Sequence, residues 1–304
     1  MDALYRGLAL DGRVRLFFLR LTETVREAAR HVETRPTASA ALGRAMAAAV
    51  LYAAGTKTAD AIHLLIAGDG PLGRVVADAF RLPDGALGAR GLVERPEVDL
   101  PPRSDGKLDV GGAVGRRGTL VVARELAGGP PYRGTAPLVS GEIGEDFAFY
   151  LLTSEQIPSA VGLGVLVAGD HTVEAAGGFW LHPLPGTEGE VLEVLEARLR
   201  KAPPVTTLLQ RTPFPEAAAQ ALVGEPGRWE TVEPVRFYCT CSEEKAARTL
   251  RLLGPKALEE EAARGRPLEV RCGFCRRRYT FPPAALRRLA EAVRSGAEEG
   301  RDGT

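Results

Sequence analysis

The sequence predicts an α+β protein: a compact mixed α/β N-terminal domain over residues 1–178, a helical linker over 179–234, and a small C-terminal domain over 235–304 that carries all four cysteines. Three observations predict it. Short β-like runs punctuated by glycine and proline follow two helical segments, a pattern of antiparallel or mixed pairing rather than of a doubly wound parallel sheet. Near Gly177 the texture changes to small helices joined by proline and glycine. The cysteines then fall in two close pairs within the last quarter. A chain of 304 residues with 45% hydrophobic and 26% charged residues buries a sizeable core, which excludes intrinsic disorder as a description of the whole. It has no uncharged apolar run of the roughly 18 residues that a membrane span needs. Residues 1–11 lack the apolar centre of a secretory signal, so the expected location is the cytoplasm.

Residues 12–21 read as a strand, with Val14, Leu16 and Phe18 on one side. Over 22–32 the spacing turns helical, and Val25, Ala28, Ala29 and Val32 share a face. Pro36, suited to a first helical turn, opens a small-residue helix over 37–54 that Gly55 stops; alanine is the strongest helix former. Residues 62–67, 74–80, 118–124, 133–138 and 161–167 are further short strands. Gly68-Asp-Gly-Pro-Leu-Gly73 imitates a dinucleotide fingerprint. Pro71 and the β-like run after it leave no helix N-terminus for a pyrophosphate, so the motif reads as a hairpin turn. Residues 111–118 lack the Gly-Lys-Ser/Thr ending of a phosphate loop, which argues against an ATPase. Phe147, Phe149 and Tyr150 read as core. His31, His63, His171 and His182 are scattered; His63, inside an apolar strand, reads as a satisfied core residue. Ser140 and Ser154 lack a nucleophile-elbow context, and no hydrolase constellation stands out.

Residues 179–185 read as a proline-flanked connector. Thr187-Glu-Gly-Glu190 has the form of a capping box and opens a helix with Val191, Leu192, Leu195 and Leu199 on one side. Ala202-Pro-Pro204 ends it, residues 213–223 offer another short helix, and 224–234 read as loop. This stretch has little core of its own.

Cys239-Thr-Cys241 and Cys272-Gly-Phe-Cys275 are separated by a 30-residue insert. In a cytosolic chain this is a poor disulfide framework and a good tetrahedral zinc site, with thiolates about 2.3 Å from the metal. The second pair has the form of a zinc knuckle, with Gly273 placed for the tight turn and Phe274 and Tyr279 nearby. The first pair is shorter than the usual Cys-x2–4-Cys. The insert folds on paper: Ser242 caps a helix over 243–253, Gly254-Pro255 ends it, and a second runs over 257–264 before Gly265. Strands at 268–271 and 276–281 flank the knuckle. A unit of this size depends on its metal. Arg271, Arg276, Arg277 and Arg278 crowd the second pair, and positive charge favours thiolate. Purely structural zinc and an oxidant-sensitive site both fit these residues. A thiol oxidoreductase fits less well, because Cys-x-x-Cys does not open a helix after a thioredoxin-like strand.

Net charge is zero, from 39 basic and 39 acidic residues. Residues 235–304 hold 15 basic and 10 acidic residues, +5, leaving −5 elsewhere. That asymmetry is too mild to demand a nucleic-acid partner. The chain has no Asn, three Gln and 22 Pro, a composition that hot environments favour and that a GC-rich genome would also produce.

The chain also resembles a known family along nearly its whole length: the redox-regulated 33-kDa heat-shock holdase chaperones of bacteria. The matching motifs are Pro36-Thr-Ala-Ser-Ala-Ala-Leu-Gly-Arg44, Gly68-Asp-Gly-Pro-Leu-Gly73, Tyr132-Arg-Gly-Thr135, Gly144-Glu-Asp-Phe147 with Tyr150 and Ser154-Glu-Gln156, and Ala175-Ala-Gly-Gly178. Above all they include Cys-x-Cys followed at wide spacing by Cys-x-x-Cys. The resemblance implies a metastable linker at 179–234 and no enzymatic activity. It implies one Zn2+ per reduced, inactive chain, bound by Cys239, Cys241, Cys272 and Cys275. On oxidation it implies disulfides Cys239–Cys241 and Cys272–Cys275, zinc release, and unfolding of the linker and zinc domain. Homodimers would then hold unfolding client proteins without ATP, against oxidative and heat aggregation. The alternative is a zinc-module RNA- or ribosome-binding protein using Arg276-Arg-Arg278 with Tyr279 and Phe281.

Overall fold

The chain opens on a β-hairpin, β1 (Ala3–Ala9) and β2 (Val14–Arg20), of which the alternation marks only the second strand. The computed structural model describes residues 1–56, 59–126, 131–211 and 214–299. α1 (Thr22–Val32) and α2 (Pro36–Gly55) follow where their spacing predicts them. Neither is capped from its own sequence. Asp2 accepts hydrogen bonds from the Glu23 and Thr24 amides at the start of α1 (3.2 and 2.7 Å). Asp99 accepts one from the Thr37 amide of α2 (3.1 Å). Both carboxylates sit at the positive end of a helix dipole. Buried residues run all the way round α2, the mark of a helix enclosed by protein. Among the described residues it is the one helix long and apolar enough to cross a membrane, and 89% of that stretch is buried inside the fold.

After α2 come β3 (Ala59–Gly68), β4 (Arg74–Arg81) and β5 (Leu87–Val93), then α3 (Val110–Val114), β6 (Gly118–Leu126) and β7 (Tyr132–Pro137). α4 (Gly144–Thr153), β8 (Ala160–Val167) and β9 (Val173–Pro183) follow. Next are α5 (Gly189–Arg200), α6 (Val205–Gln210), α7 (Glu216–Val223) and β10 (Arg228–Phe237). β3 and β4 pair antiparallel across the Gly68–Gly73 turn, the hairpin that the sequence predicts. The strands form one ten-stranded sheet in the order β7-β6-β3-β4-β5-β10-β1-β2-β9-β8, with every pair antiparallel except β5–β10. Two cores cover its faces. α1, α2 and α4 share one with Leu4, Phe17, Ile62, Leu64 and Trp180. α5 to α7 close the other over Leu16, Phe18, Phe179 and Leu181, through Leu195, Leu208, Leu222 and Val223. Phe147 and Tyr150 are buried in the first core and Phe149 packs against it, as expected.

Four expectations need correction. Residues 228–234 are not loop but most of strand β10; its charges and Pro234 hide it, and it is held by backbone pairing to β1, with few of its own side chains buried. The connector at 179–185 is largely the end of β9, which pairs with β2 through Pro183. The capping box at Thr187 does not form, because its hydroxyl donates to the Arg13 and Leu184 carbonyls instead. His63 is not core. Its neighbours Ile62 and Leu64 are buried, while the His63 side chain is 38% exposed on the opposite face, between Asp78 and Glu125. Pro213, where the sequence begins its last linker helix, and residues 300–304 lie outside the described residues.

The chain divides into two units, Met1–Tyr238 and Cys239–Thr304. In the second, α8 (Glu243–Arg251) and α9 (Gly254–Ala263) lead to a two-stranded antiparallel ribbon, β11 (Leu268–Arg271) and β12 (Arg278–Phe281). A helix α10 (Pro283–Glu299) ends it. Its core is small: Ala246, Leu250, Leu258, Ala262, Phe281, Leu286 and Ala290.

Candidate metal centre

The insert between the cysteine pairs folds so as to return the chain to its start. Ser242, next to Cys241, accepts a hydrogen bond from the Lys245 amide (3.2 Å) and caps α8, as predicted. α8 and α9 then run to the ribbon, whose register sets Val270 against Tyr279 and Arg271 against Arg278. Its tip is the knuckle Cys272–Cys275. There the Cys272 amide donates to the Arg277 carbonyl (2.9 Å) and the Arg276 amide to the Cys272 carbonyl (3.0 Å). The left-handed residue is Arg276, at φ 58°, rather than Gly273, to which the sequence assigns the tight turn.

This folding gathers all four predicted residues. The sulfurs of Cys239, Cys241, Cys272 and Cys275 lie within 4.8 Å of one another. Cys239 Sγ is 3.6 Å from Cys272 Sγ, and Cys241 Sγ is 3.4 Å from Cys275 Sγ. A covalent S–S bond is about 2.05 Å, so these are thiol contacts. The edge of a tetrahedron with metal–sulfur bonds of 2.3 Å is about 3.8 Å, close to the observed separations. The four side chains therefore suit one tetrahedral, thiophilic ion. All four are half-buried, and among the described residues the group that could hold an ion consists of these four cysteines.

The electrostatics are uneven. Burial raises the Cys241 thiol, but a hydrogen bond from the Tyr279 hydroxyl (3.1 Å) and the neighbouring thiols outweigh it and bring Cys241 down to about 7. Burial pushes Cys239 and Cys275 up. The arginines, expected to bias the second pair toward thiolate, are partly engaged elsewhere. Arg271 and Arg278 both reach Glu269, at 2.7 and 3.6 Å. Sequence reasoning placed Tyr279 near the site only as a hydrophobic neighbour. Its position in a strand four residues beyond Cys275 is the signal that its hydroxyl returns to the cysteines.

Residues 2–282 match the sequence model of a family described as Hsp33 protein. The chain is 44% identical over 294 residues to a 33 kDa chaperonin of Bacillus licheniformis, covering 96% of this chain and 100% of that protein. It is 42% identical over 295 residues to a 33 kDa chaperonin of Geobacillus kaustophilus, covering 96% and 99%. Its fold is similar to the crystal structure of the 33 kDa chaperonin of Thermotoga maritima, with a TM-score of 0.86 and 35% identity, covering 96% of this chain and 98% of that one. With the family matched over nearly the whole chain and its fold reproduced on both sides of the cysteine cluster, the chain belongs to the Hsp33 family.

Proposed function

We propose that this protein is a redox-regulated, ATP-independent holdase of the cytoplasm that protects unfolding proteins from oxidative and heat aggregation. When reduced, Cys239, Cys241, Cys272 and Cys275 hold one Zn2+ as thiolates. A bound structural zinc supplies folding energy, on the order of 10–16 kcal/mol in small peptides, to a unit whose apolar core is small. An oxidant such as hydrogen peroxide takes two electrons from each cysteine pair. Two thiolates join in a disulfide, the O–O bond breaks, and both oxygens leave as hydroxide. The family resemblance implies the pairs Cys239–Cys241 and Cys272–Cys275. In the folded unit the nearest sulfurs are instead Cys239 and Cys272 (3.6 Å) and Cys241 and Cys275 (3.4 Å), so the unit rearranges as those disulfides form. With the thiolates consumed, the unit loses its ligand set and its fold.

The layer formed by α5 to α7 is the second element of the switch. These helices are short and marginal alone, and within residues 179–234 it is this layer, not the end of β9, that acts as the metastable linker. Their release uncovers Leu16, Phe18, Phe179 and Leu181 as an apolar surface for clients, and active chains pair as homodimers. The observation that carries this reading is the set of four sulfurs at single-ion spacing in a unit with so little core.

The test follows a thermally unfolding client by light scattering, without nucleotide, using reduced and peroxide-treated protein while a chromophoric chelator reads zinc. Suppression by the oxidised form alone, with one zinc released per chain, is expected. Equal suppression by both forms, or by neither, sinks the proposal. Hydrogen exchange across 179–234 then separates one signal from two. A heat-adapted chain is often more stable at room temperature than at its working temperature, so oxidation should release zinc in the cold and heating should then expose the linker. Complete loss of linker protection on oxidation at room temperature would show that the metal was the only latch.

A further inference from the structure

In the sheet order, β5 and β1 are not neighbours; β10 alone joins the five strands β7-β6-β3-β4-β5 to the four strands β1-β2-β9-β8. It does so with different ends. Arg228–Pro234 pairs antiparallel with β1, and Val235–Phe237 pairs parallel with Leu87–Ala89 of β5. Most of its side chains face solvent: Val235 alone is buried, while Arg228, Glu230, Thr231, Val232, Pro234 and Arg236 are exposed. Its ion pairs run from Glu233 to Arg6 of β1 and Arg81 (3.0 and 2.8 Å) and from Arg236 to Asp84 (2.6 Å). Its apolar anchors on the two faces are few: Val235 and Phe237 in one core, Trp229 in the other. Trp229 stands edge-on to Phe18 (5.5 Å between centroids) and Tyr5 (6.2 Å), over a place kept open by Gly7. A Cβ at Gly7 would lie 2.5 Å from the Arg228 carbonyl oxygen and 2.9 Å from the Trp229 ring. One residue after β10 the chain reaches Cys239, with only Tyr238 between them.

We propose that β10 is an internal surrogate for the client: an extended strand that caps the edges of β1 and β5 and fills an aromatic socket, and that yields both to an extended segment of an unfolding protein once the cysteine unit loses its fold. The proposal rests on the holdase reading above and names how the client is held. Sheet edges bare of a partner present rows of unpaired N–H and C=O groups. An extended chain satisfies them by strand addition, whatever its sequence, and side-chain pockets add preference. Here Tyr5, Phe18 and Leu16 form the pocket, so client segments carrying an aromatic residue are favoured. Backbone pairing explains tolerance of many clients, and the socket explains discrimination against polar chain.

The probe is a fluorescently labelled synthetic peptide with the sequence of Arg228–Phe237, added to full-length protein at the temperature of the aggregation assay. Anisotropy should report binding to the oxidised protein and none to the reduced, metal-loaded protein. The unlabelled peptide should abolish client protection in a dose-dependent way. Replacing Trp229 by alanine in the peptide should weaken both effects by roughly ten-fold or more, the scale of losing one buried aromatic anchor. In the protein, Gly7→Ala should displace β10 and give peptide binding and client protection while zinc is still bound. If that variant does not fold, the peptide measured on the unaltered chain decides. Oxidised protein that protects the client yet neither binds the peptide nor loses protection to it overturns the proposal and leaves the holdase reading standing. Oxidised protein that binds the peptide but protects no client overturns the holdase reading instead.

Discussion

Met1–Tyr238 encloses Trp180, Tyr52, Tyr150, Phe17, Phe18 and Phe147 almost completely, whereas the largest buried side chain of Cys239–Thr304 is Phe281, and beside it stand Leu250, Leu258, Leu286 and alanines. A fully buried large apolar side chain contributes roughly 1.5–3 kcal/mol. Among the described residues, the first unit has dozens of buried apolar residues and the second has seven. The second unit compensates with four thiols that fit one ion. The difference teaches where regulation can act. A fold held by packing answers to heat and denaturant, while a fold held by thiolates answers also to oxidants and chelators, and only the latter can be dismantled without harming the rest.

The largest effect should come from removing the metal. Chelation of the reduced protein, or Cys241→Ser, should cost the second unit on the order of 10 kcal/mol of apparent stability and leave the α2 and β3–β6 amides protected. Hydrogen exchange resolved by segment checks both halves of that statement. Metal-free protein with residues 243–290 still protected would break the comparison at its root.

Core truncations sharpen it. Phe147→Ala in the first unit should cost about 3–5 kcal/mol, seen as an earlier urea transition with zinc affinity unchanged. Leu258→Ala in the second should cost about 2–5 kcal/mol. On the proposed zinc reading, folding and binding are one event there, so the loss should surface as zinc affinity weakened by roughly thirty-fold or more. A Leu258→Ala protein that binds zinc as tightly as the parent would show that the cysteine site forms independently of its core.

A smaller loss is expected from Tyr279→Phe, which removes the hydroxyl 3.1 Å from Cys241 Sγ and keeps the ring. Partners of metal ligands are typically worth about 10–100-fold in metal affinity. Chelator competition measures it. An unchanged affinity would mean the hydroxyl follows the sulfur without orienting it.

The helices and hairpins set by local pattern were legible: α1, α2, the β3–β4 turn, the Ser242 cap and the cysteine quartet all follow from spacing over a few residues. What stayed hidden depends on distant partners. The caps of α1 and α2 come from Asp2 and Asp99, which no local capping rule connects to those helices. β5 carries Gly88 and Gly91 because Phe80, Leu42 and Met46 press on the strand where a Cβ would sit, and glycine lowers its β signal. β10 looks like loop because it is charged, contains Pro234, and owes its shape to β1. The cysteine cluster was legible as a quartet, whereas the places of Tyr279 and Glu269 beside it were not, because they require the ribbon register.

The smallest effect belongs to the first unit and should be indifferent to metal. His63 on β3 meets Asp78 of β4 through Nδ1 (2.8 Å) and Glu125 of β6 through Nε2 (3.1 Å), and Arg90 of β5 meets the other Asp78 oxygen (2.7 Å). The Asp78 hydrogen bond raises His63 above its ordinary 6.5, against a smaller opposing effect of burial and with help from Glu125. Burial works against ionisation of Asp78, yet its bonds to His63 and Arg90 hold it below the usual carboxylate range. A raised histidine stabilises the fold fully below its unfolded pKa and loses that contribution as pH climbs through the folded one. Asp78 gives its share at all pH values above the carboxylate range and so stays constant in the same window. Stability should therefore fall as pH rises from about 6.5, by less than about 1 kcal/mol because the histidine is more than a third exposed and screened. Both tryptophans, Trp180 and Trp229, lie in this unit, so their fluorescence follows its urea unfolding. The parent should lose ground to His63→Gln between about pH 6 and about pH 8.5, equally with and without chelator. A stability gap constant across that range would mean that the imidazole acts as a neutral hydrogen-bonding bridge and its charge contributes nothing.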